Sequence, residues 1–269
     1  MPIRFDLPAE FPHVAVVTID RPEQANSLDL TTLTALADAW RRVAADDEIR
    51  CAVLTGAGER VFCGGMDMKT TIPVSQRLAR GERIDQESFE ALRNVSTAVL
   101  IGFDVKKPIV CAINGHCRAV GLDMALATEI RLAVPHATFA LEEVARGLYP
   151  TGNATVLLAR QIAWVHANEL LLTARPIDAA RALQIGLINR IVEPARLVEE
   201  ALQTAHAIAA NAPLAVRETR RGLREIRSLT IEEGYRRQEE IGRALRKSED
   251  AREAQRAFVE KRAPAWKGR

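Results

Sequence analysis

Several familiar signatures are missing from this 269-residue sequence. Its four cysteines, Cys51, Cys63, Cys111 and Cys117, include no C-x-x-C pair. That removes the common zinc and redox spacings and predicts reduced, partly buried thiols. None of His13, His116, His136, His166 and His206 has a metal-ligand partner at useful spacing, so no metal is expected. There is no G-x-G-x-x-G, because Val61 stands where the third glycine after Gly56 and Gly58 would fall. Dinucleotide binding is therefore unsupported, as is a P-loop, and no serine sits in G-x-S-x-G to make a nucleophile elbow. No apolar run approaches the roughly 18 residues of a membrane span. Asp6, Glu10 and His13 interrupt the start, against a signal peptide, so the expected location is cytoplasmic.

A strong excess of one charge is also absent. Lys and Arg number 37 against 35 Asp and Glu, for a net charge of +2. A dedicated nucleic-acid or membrane-surface binder would normally be far more basic. The balance is uneven along the chain, however. Residues 1–210 carry 21 basic and 25 acidic side chains, and residues 211–269 carry 16 and 10. The basic tail either meets an anionic ligand or is a solvated helical face. With 48% hydrophobic and 27% charged residues, the chain has the composition of a soluble globular protein.

Periodicity supplies the elements that are there. Residues 13–20 read as a strand stopped by Arg21–Pro22, and 29–45 as an amphipathic helix presenting Leu30, Leu33, Leu36, Ala37 and Trp40. Short apolar strands follow at 51–56, 108–114 and 129–134, with helical periodicity over 86–103. This alternation predicts a layered α/β core. From about 195 onward the pattern is helical, ending in a helix over 249–262. A boundary at 197/198 separates the core from a tail expected to pack on another subunit.

Two glycine-bearing turns, VFCGGMDMK (61–69) and INGHCRAVGLDMALA (113–127), leave apolar strands and lead towards helices. Unpaired N–H groups at such turns can converge on a carbonyl oxygen and form an oxyanion hole, although tight turns of this kind commonly only turn the chain. Asp123 falls in the first turn of the second helix, and Glu142 and Glu143 follow ATFAL. Spacing alone leaves each of these acids either catalytic or a helix-terminal charge.

The blocks RPEQANSL (21–28), VLTG (53–56) with VFCGGMDMK (61–69), INGHCRAVGLDMA (113–125) and FALEEVARGLYP (139–150) resemble, in order and spacing, the crotonase superfamily of enoyl-CoA hydratases and isomerases. AFVEKR (257–262) extends the resemblance to the end of the chain. It implies a crotonase (ClpP-like) α/β fold of repeated ββα units, with a core over 1–197 and a helical trimerisation region over 198–269. It implies oxyanion donors at the N–H groups of Met66 and Val120, and catalytic acids at Asp123, acting on water, and Glu143, acting on the Cα proton. CoA contacts are implied at Ala25, Ser27, Met66, Asp67, Met68, Lys69, Phe258 and Lys261, the last two often reaching a neighbouring subunit. The partners so implied are an acyl-CoA thioester and further copies of the chain, as a trimer or a dimer of trimers, with no nucleic acid, no membrane and no cofactor beyond the CoA of the substrate.

The sequence departs from the family pattern at informative places. Asp123 replaces the usual glutamate and withdraws the carboxylate by about 1.5 Å. Val120 replaces a usual glycine, and Met66 a small residue. Thr151 stands where dienoyl-CoA isomerases carry aspartate, which argues against that reaction. Hydration of a 2-trans-enoyl-CoA is the expected activity, with double-bond isomerisation or thioester hydrolysis on the same scaffold as alternatives. A non-catalytic acyl-CoA- or RNA-binding role, the latter resting on Arg217, Arg220, Arg221, Arg224 and Arg227, is the rival of another class; a solvated or subunit-facing surface is the expected role of these arginines.

Overall fold

The computed structural model describes residues 1–269. Its centre is a sheet of six strands. In β1 (Ile3–Asp6), β2 (Val14–Ile19), β3 (Cys51–Gly56), β5 (Ile109–Ile113), β7 (Ile130–Ala133) and β10 (Arg190–Ile191), the spatial order follows the chain order, β1-β2-β3-β5-β7-β10. β1 pairs antiparallel with β2, and every other pair is parallel. All residues of β2, β3 and β5 are buried. Both faces of a parallel sheet are covered, which is why these segments are continuous apolar runs rather than alternating ones.

A second sheet holds β4 (Val61–Cys63), β6 (His116–Arg118), β8 (Thr138–Ala140) and β9 (Ile177–Asp178) in that order, parallel except for the last pair. Three times in succession a strand of the large sheet runs on into a strand of the small one: β3 to β4, β5 to β6, and β7 to β8. This is the repeated ββα logic expected of a crotonase fold. The short second strands are too brief to show periodicity, so the sequence reveals only the first strand of each unit.

Helix α1 (Leu30–Ala45) is capped by Asp29, whose carboxylate accepts the Thr32 N–H at 2.7 Å. It buries Leu33, Leu36, Ala37, Trp40 and Val43, packing against β1 and β2 and against the helical residues 86–98. α2 (Thr71–Ala79) follows the 61–69 turn. The helix expected over 86–103 divides into α3 (Gln86–Arg93) and the single turn α4 (Val95–Ala98), and Leu100 then takes a left-handed φ of 59°. The β-branched Val95, Thr97, Val99 and Ile101 weaken helix propagation there. α5 (Val120–Leu126), α6 (Ala159–Gln161), α7 (Trp164–Thr173) and α8 (Ala179–Gln184) complete the body, and a five-residue π turn spans Ala154–Leu158.

The long terminal helices divide differently from the expected boundary. α9 (Leu197–Ala209) buries Leu197, Ala201, Ala205 and Ala209 at four-residue spacing and belongs to the hydrophobic core. The chain leaves that core only at Pro213, the first residue of α10 (Pro213–Ile226), followed by α11 (Ile231–Leu245) and α12 (Glu249–Glu260). α10 is anchored through Arg220, which is almost fully buried and ion-paired to Asp104 at 2.6 Å and Glu129 at 2.9 Å. Asp250 secures α12 by accepting the N–H groups of Lys267 and Gly268. All four cysteines are free and buried, and burial pushes the Cys63 thiol up to about 12. No helix is long and apolar enough to cross a membrane.

Candidate active site

The second sheet gathers the candidate residues. β4, β6 and β8 are parallel neighbours, with Cys117 of β6 paired to both Cys63 and Phe139. The chain leaves β4 towards Met66, β6 towards Val120 and Asp123, and β8 towards Glu143. All four positions therefore lie beyond the carboxyl ends of three adjacent strands, where parallel architectures place their ligands.

The two donor turns abut. A Cβ added to Gly65 would lie 3.4 Å from the Cβ of Ala119. Both residues have positive φ, 104° and 45° respectively, and only the first is glycine. The strained Ala119 conformation turns β6 into α5 and fixes the direction of the next N–H, that of Val120. Neither the Met66 N–H nor the Val120 N–H donates a hydrogen bond within the chain. Both N–H groups are thus uncommitted within the chain, on turns that touch. Gly121 completes the junction: a Cβ there would stand 2.7 Å from the Cys63 carbonyl oxygen. At the far end of α5, the buried Arg131 guanidinium donates to Ala125 O at 3.1 Å and Thr128 O at 3.2 Å, holding that terminus in place.

Asp123 is 2% exposed, and its Oδ1 accepts the Ala154 N–H at 2.7 Å. Desolvation pushes its carboxyl up to about 6, opposed by that hydrogen bond and reinforced by the charge of Glu143. Glu143 begins the turn after β8. Desolvation also raises its pKa, against its own N–H and the Arg146 charge. Its Oε2 is buried and has no hydrogen-bond partner. A half-buried acid with a buried, unused oxygen, whose charge acts on the fully buried Asp123, is unusual outside a functional site. By contrast, Glu142 forms an ion pair with Arg146 at 3.6 Å.

The remaining predicted contacts fall in two regions. The turn containing Ala25 and Ser27 packs against 64–67, with the Gly64 N–H donating to Ala25 O at 2.9 Å. The Asp67 carboxylate is spent within this region. Although desolvation raises its pKa, N–H donation from Lys69 and Thr70 and the Ser27 hydroxyl bring it below the ordinary value. Asp67 shapes the turn, whereas Met68 and Lys69 point outward and are exposed. Phe258 and Lys261 lie at the end of α12, also exposed. Of the five arginines weighed for RNA, Arg220 is buried, not on a solvated face, and Arg217, Arg221 and Arg224 are ion-paired within the chain.

Sequence reasoning misses several supports. Asn26, buried at a left-handed φ of 50°, donates to Ala57 O and Val61 O and pins the 21–28 turn to the β3–β4 connection. Gly152, Asn153 and Ala154 surround Asp123 from about 30 residues away, and no local pattern marks that approach. No group of three His, Cys, Asp or Glu side chains gathers as a metal site would require.

Fold and site together define a crotonase-type α/β protein. Residues 11–269 match the family described as enoyl-CoA hydratase/isomerase. Enoyl-CoA hydratase EchA19 of Mycobacterium tuberculosis is 38% identical over 257 residues, covering 96% of this chain and 94% of that protein. The (E)-benzylidenesuccinyl-CoA hydratase of Thauera aromatica is 39% identical over 256 residues, covering 95% and 96%. A crystal structure of enoyl-CoA hydratase from Bacillus anthracis superimposes with a TM-score of 0.88 at 30% identity, covering 100% of both chains. The chain belongs to the enoyl-CoA hydratase/isomerase family.

Proposed function

We propose that this protein hydrates a 2-trans-enoyl-CoA thioester, with Asp123 and Glu143 as the catalytic acids. The observation that carries the reading is a buried Asp123 and a half-buried Glu143, both with raised carboxyls, on the same side of the sheet as two unpaired N–H groups, all beyond the ends of adjacent parallel strands. The Asp123 carboxylate takes a proton from water as the water oxygen bonds to Cβ. The electron pair of the C2–C3 double bond moves to Cα and is delocalised onto the thioester oxygen. The N–H groups of Met66 and Val120 hold that oxyanion, a contribution of about 2.7–4 kcal/mol per donor in comparable sites. Glu143, biased towards its protonated form, delivers its proton to Cα. Proton exchange with solvent then restores both acids.

In this reading the CoA portion is held by Ala25, Ser27 and Met66–Lys69, and by Phe258 and Lys261 of a neighbouring copy in a trimer or a dimer of trimers. Water addition is redox-neutral and calls on no group beyond the CoA of the substrate. Four free, buried thiols fit a cytoplasmic location. The relatives named as hydratases support the choice of reaction.

The test incubates the purified protein with matched 2-enoyl- and 3-enoyl-CoA thioesters and weighs the products. Gain of one water supports the proposal. A shifted double bond at unchanged mass identifies an isomerase instead, and free CoA a thioester hydrolase.

A further inference from the structure

The aspartate at position 123 is a methylene shorter than the glutamate the family resemblance leads one to expect, and the chain comes to meet it. A Cβ added to Gly152 would lie only 2.0 Å from Asp123 Oδ2, so the 152–154 backbone rests directly on the carboxylate. Two residues on, the Ala154 N–H donates to Oδ1. Between them stands Asn153, 6% exposed, whose side-chain amide donates to the main-chain carbonyl of Asp123 at 3.0 Å and to that of Val99 at 3.3 Å.

Each acceptor needs this amide. The last turn of α5 tightens so that the Ala127 N–H reaches Met124 O and Ala125 O rather than Asp123 O. Val99 O lies just past the end of α4, whose neighbouring carbonyl, Ala98 O, takes the Trp40 indole N–H. Both donors of the Asn153 amide are thus committed, one to each flanking segment, and a residue without them would leave buried carbonyls unpaired. The short acid is gripped at both ends, its carbonyl by the Asn153 side chain and its carboxylate by the backbone that Asn153 anchors.

We propose that Asn153 is a positioning residue for Asp123, bracing α4, α5 and the 152–154 backbone so that the carboxylate stays where it can act on water. This rests on the reading of Asp123 as the base. Its loss relaxes the Ala154 N–H away from Oδ1, and a carboxylate that loses a donor becomes easier to protonate.

The test compares Asn153→Ala, the isosteric Asn153→Asp, which cannot donate when ionised, and Asn153→Ser, which keeps one donor. Asp123 is titrated by carboxyl NMR in the ligand-free proteins, and kcat and KM for hydration of the enoyl-CoA are followed against pH. In Asn153→Ala the Asp123 titration and the acid limb of kcat should move up together by about half to one pH unit. At neutral pH kcat should fall about 10–100-fold with a smaller change in KM. Asn153→Asp should be at least as impaired, Asn153→Ser should partly recover, and Asn153→Ala in an Asp123→Asn background should cost nothing further. An unmoved Asp123 titration in folded Ala and Asp variants, or additive losses in the double variant, overturns the proposal. A wild-type protein that hydrates no enoyl-CoA overturns the hydratase reading instead. The NMR titration, which needs no turnover, then decides the brace alone.

Discussion

Asp123 illustrates the tension between function and stability at a single side chain. Its carboxyl titrates near 6 in the folded protein, against an ordinary value of 3.8. The native state therefore holds the proton more tightly than the unfolded chain does. The associated stability is fully present below about pH 4 and is lost as pH rises through about 6. Above that window the protein carries a buried ionised carboxylate at a cost of about 2–3 kcal/mol. Asp123→Asn removes the charge while leaving an oxygen to accept from Ala154. Urea unfolding should show the variant more stable than wild type at pH 8 by up to that amount, with the difference shrinking towards pH 4. Hydration should fall at least a hundredfold, the lower range of what positioned acid–base groups contribute. A gain that is independent of pH would mean that the cost lies in packing and not in the charge.

Among the elements, α5 carries the most function for its length. Its first N–H is a proposed oxyanion donor, its fourth residue is a proposed base, and Gly121 between them allows its close approach to β4. Gly121→Ala would force a methyl group to within 2.7 Å of the Cys63 carbonyl oxygen and lever the helix off the strand. The separation of Met66 and Val120 would widen. The expected result is a kcat lower by about 10²–10³ with CoA affinity nearly kept, and a stability loss of about 1–3 kcal/mol. A calorimetric Kd for CoA beside kcat checks the split, and equal losses in both would place the damage elsewhere. Such elements also show what the sequence discloses. β2, β3 and β5 are legible because burial on both faces writes itself as an apolar run, and α1 because its stripe and its Asp29 cap agree. The two-residue β9 and β10 are set by tertiary pairing and leave no period to read. Asp123 and Glu143 are locally ambiguous, and the order of motifs is what selects them. The Gly152–Ala154 support of Asp123 is invisible, because its meaning lies in a contact across some 30 residues.

At the scale of the whole molecule, the basic tail of the chain separates into two parts with different physics. α9 is core, whereas α10, α11 and α12 present Leu223, Ile231, Tyr235, Phe258 and Val259 to solvent, with Phe258 85% exposed. Several arginines of α10 are neutralised by acids of this same chain, so its charge is already partly spent in holding the helix down. Exposed apolar groups of this size mark an interaction surface. The proposed cover is another copy of the chain, and the proposed consequence is that α12 brings Phe258 and Lys261 to a neighbour's CoA. Sedimentation equilibrium should give three or six times the chain mass; a monomer at micromolar concentration would refute the assembly. Phe258→Ala should raise KM for the enoyl-CoA more than it lowers kcat. If the site is shared, two crippled chains should repair one another. Co-expression of Asp123→Asn, which keeps its tail, with Phe258→Ala, which keeps its acid, would create sites having an intact Asp123 from one copy and an intact Phe258 from the other. Mixed assemblies should then bind enoyl-CoA at those sites with wild-type KM. If every active site of the mixture keeps the raised KM of the Phe258→Ala parent, α12 serves its own subunit or none.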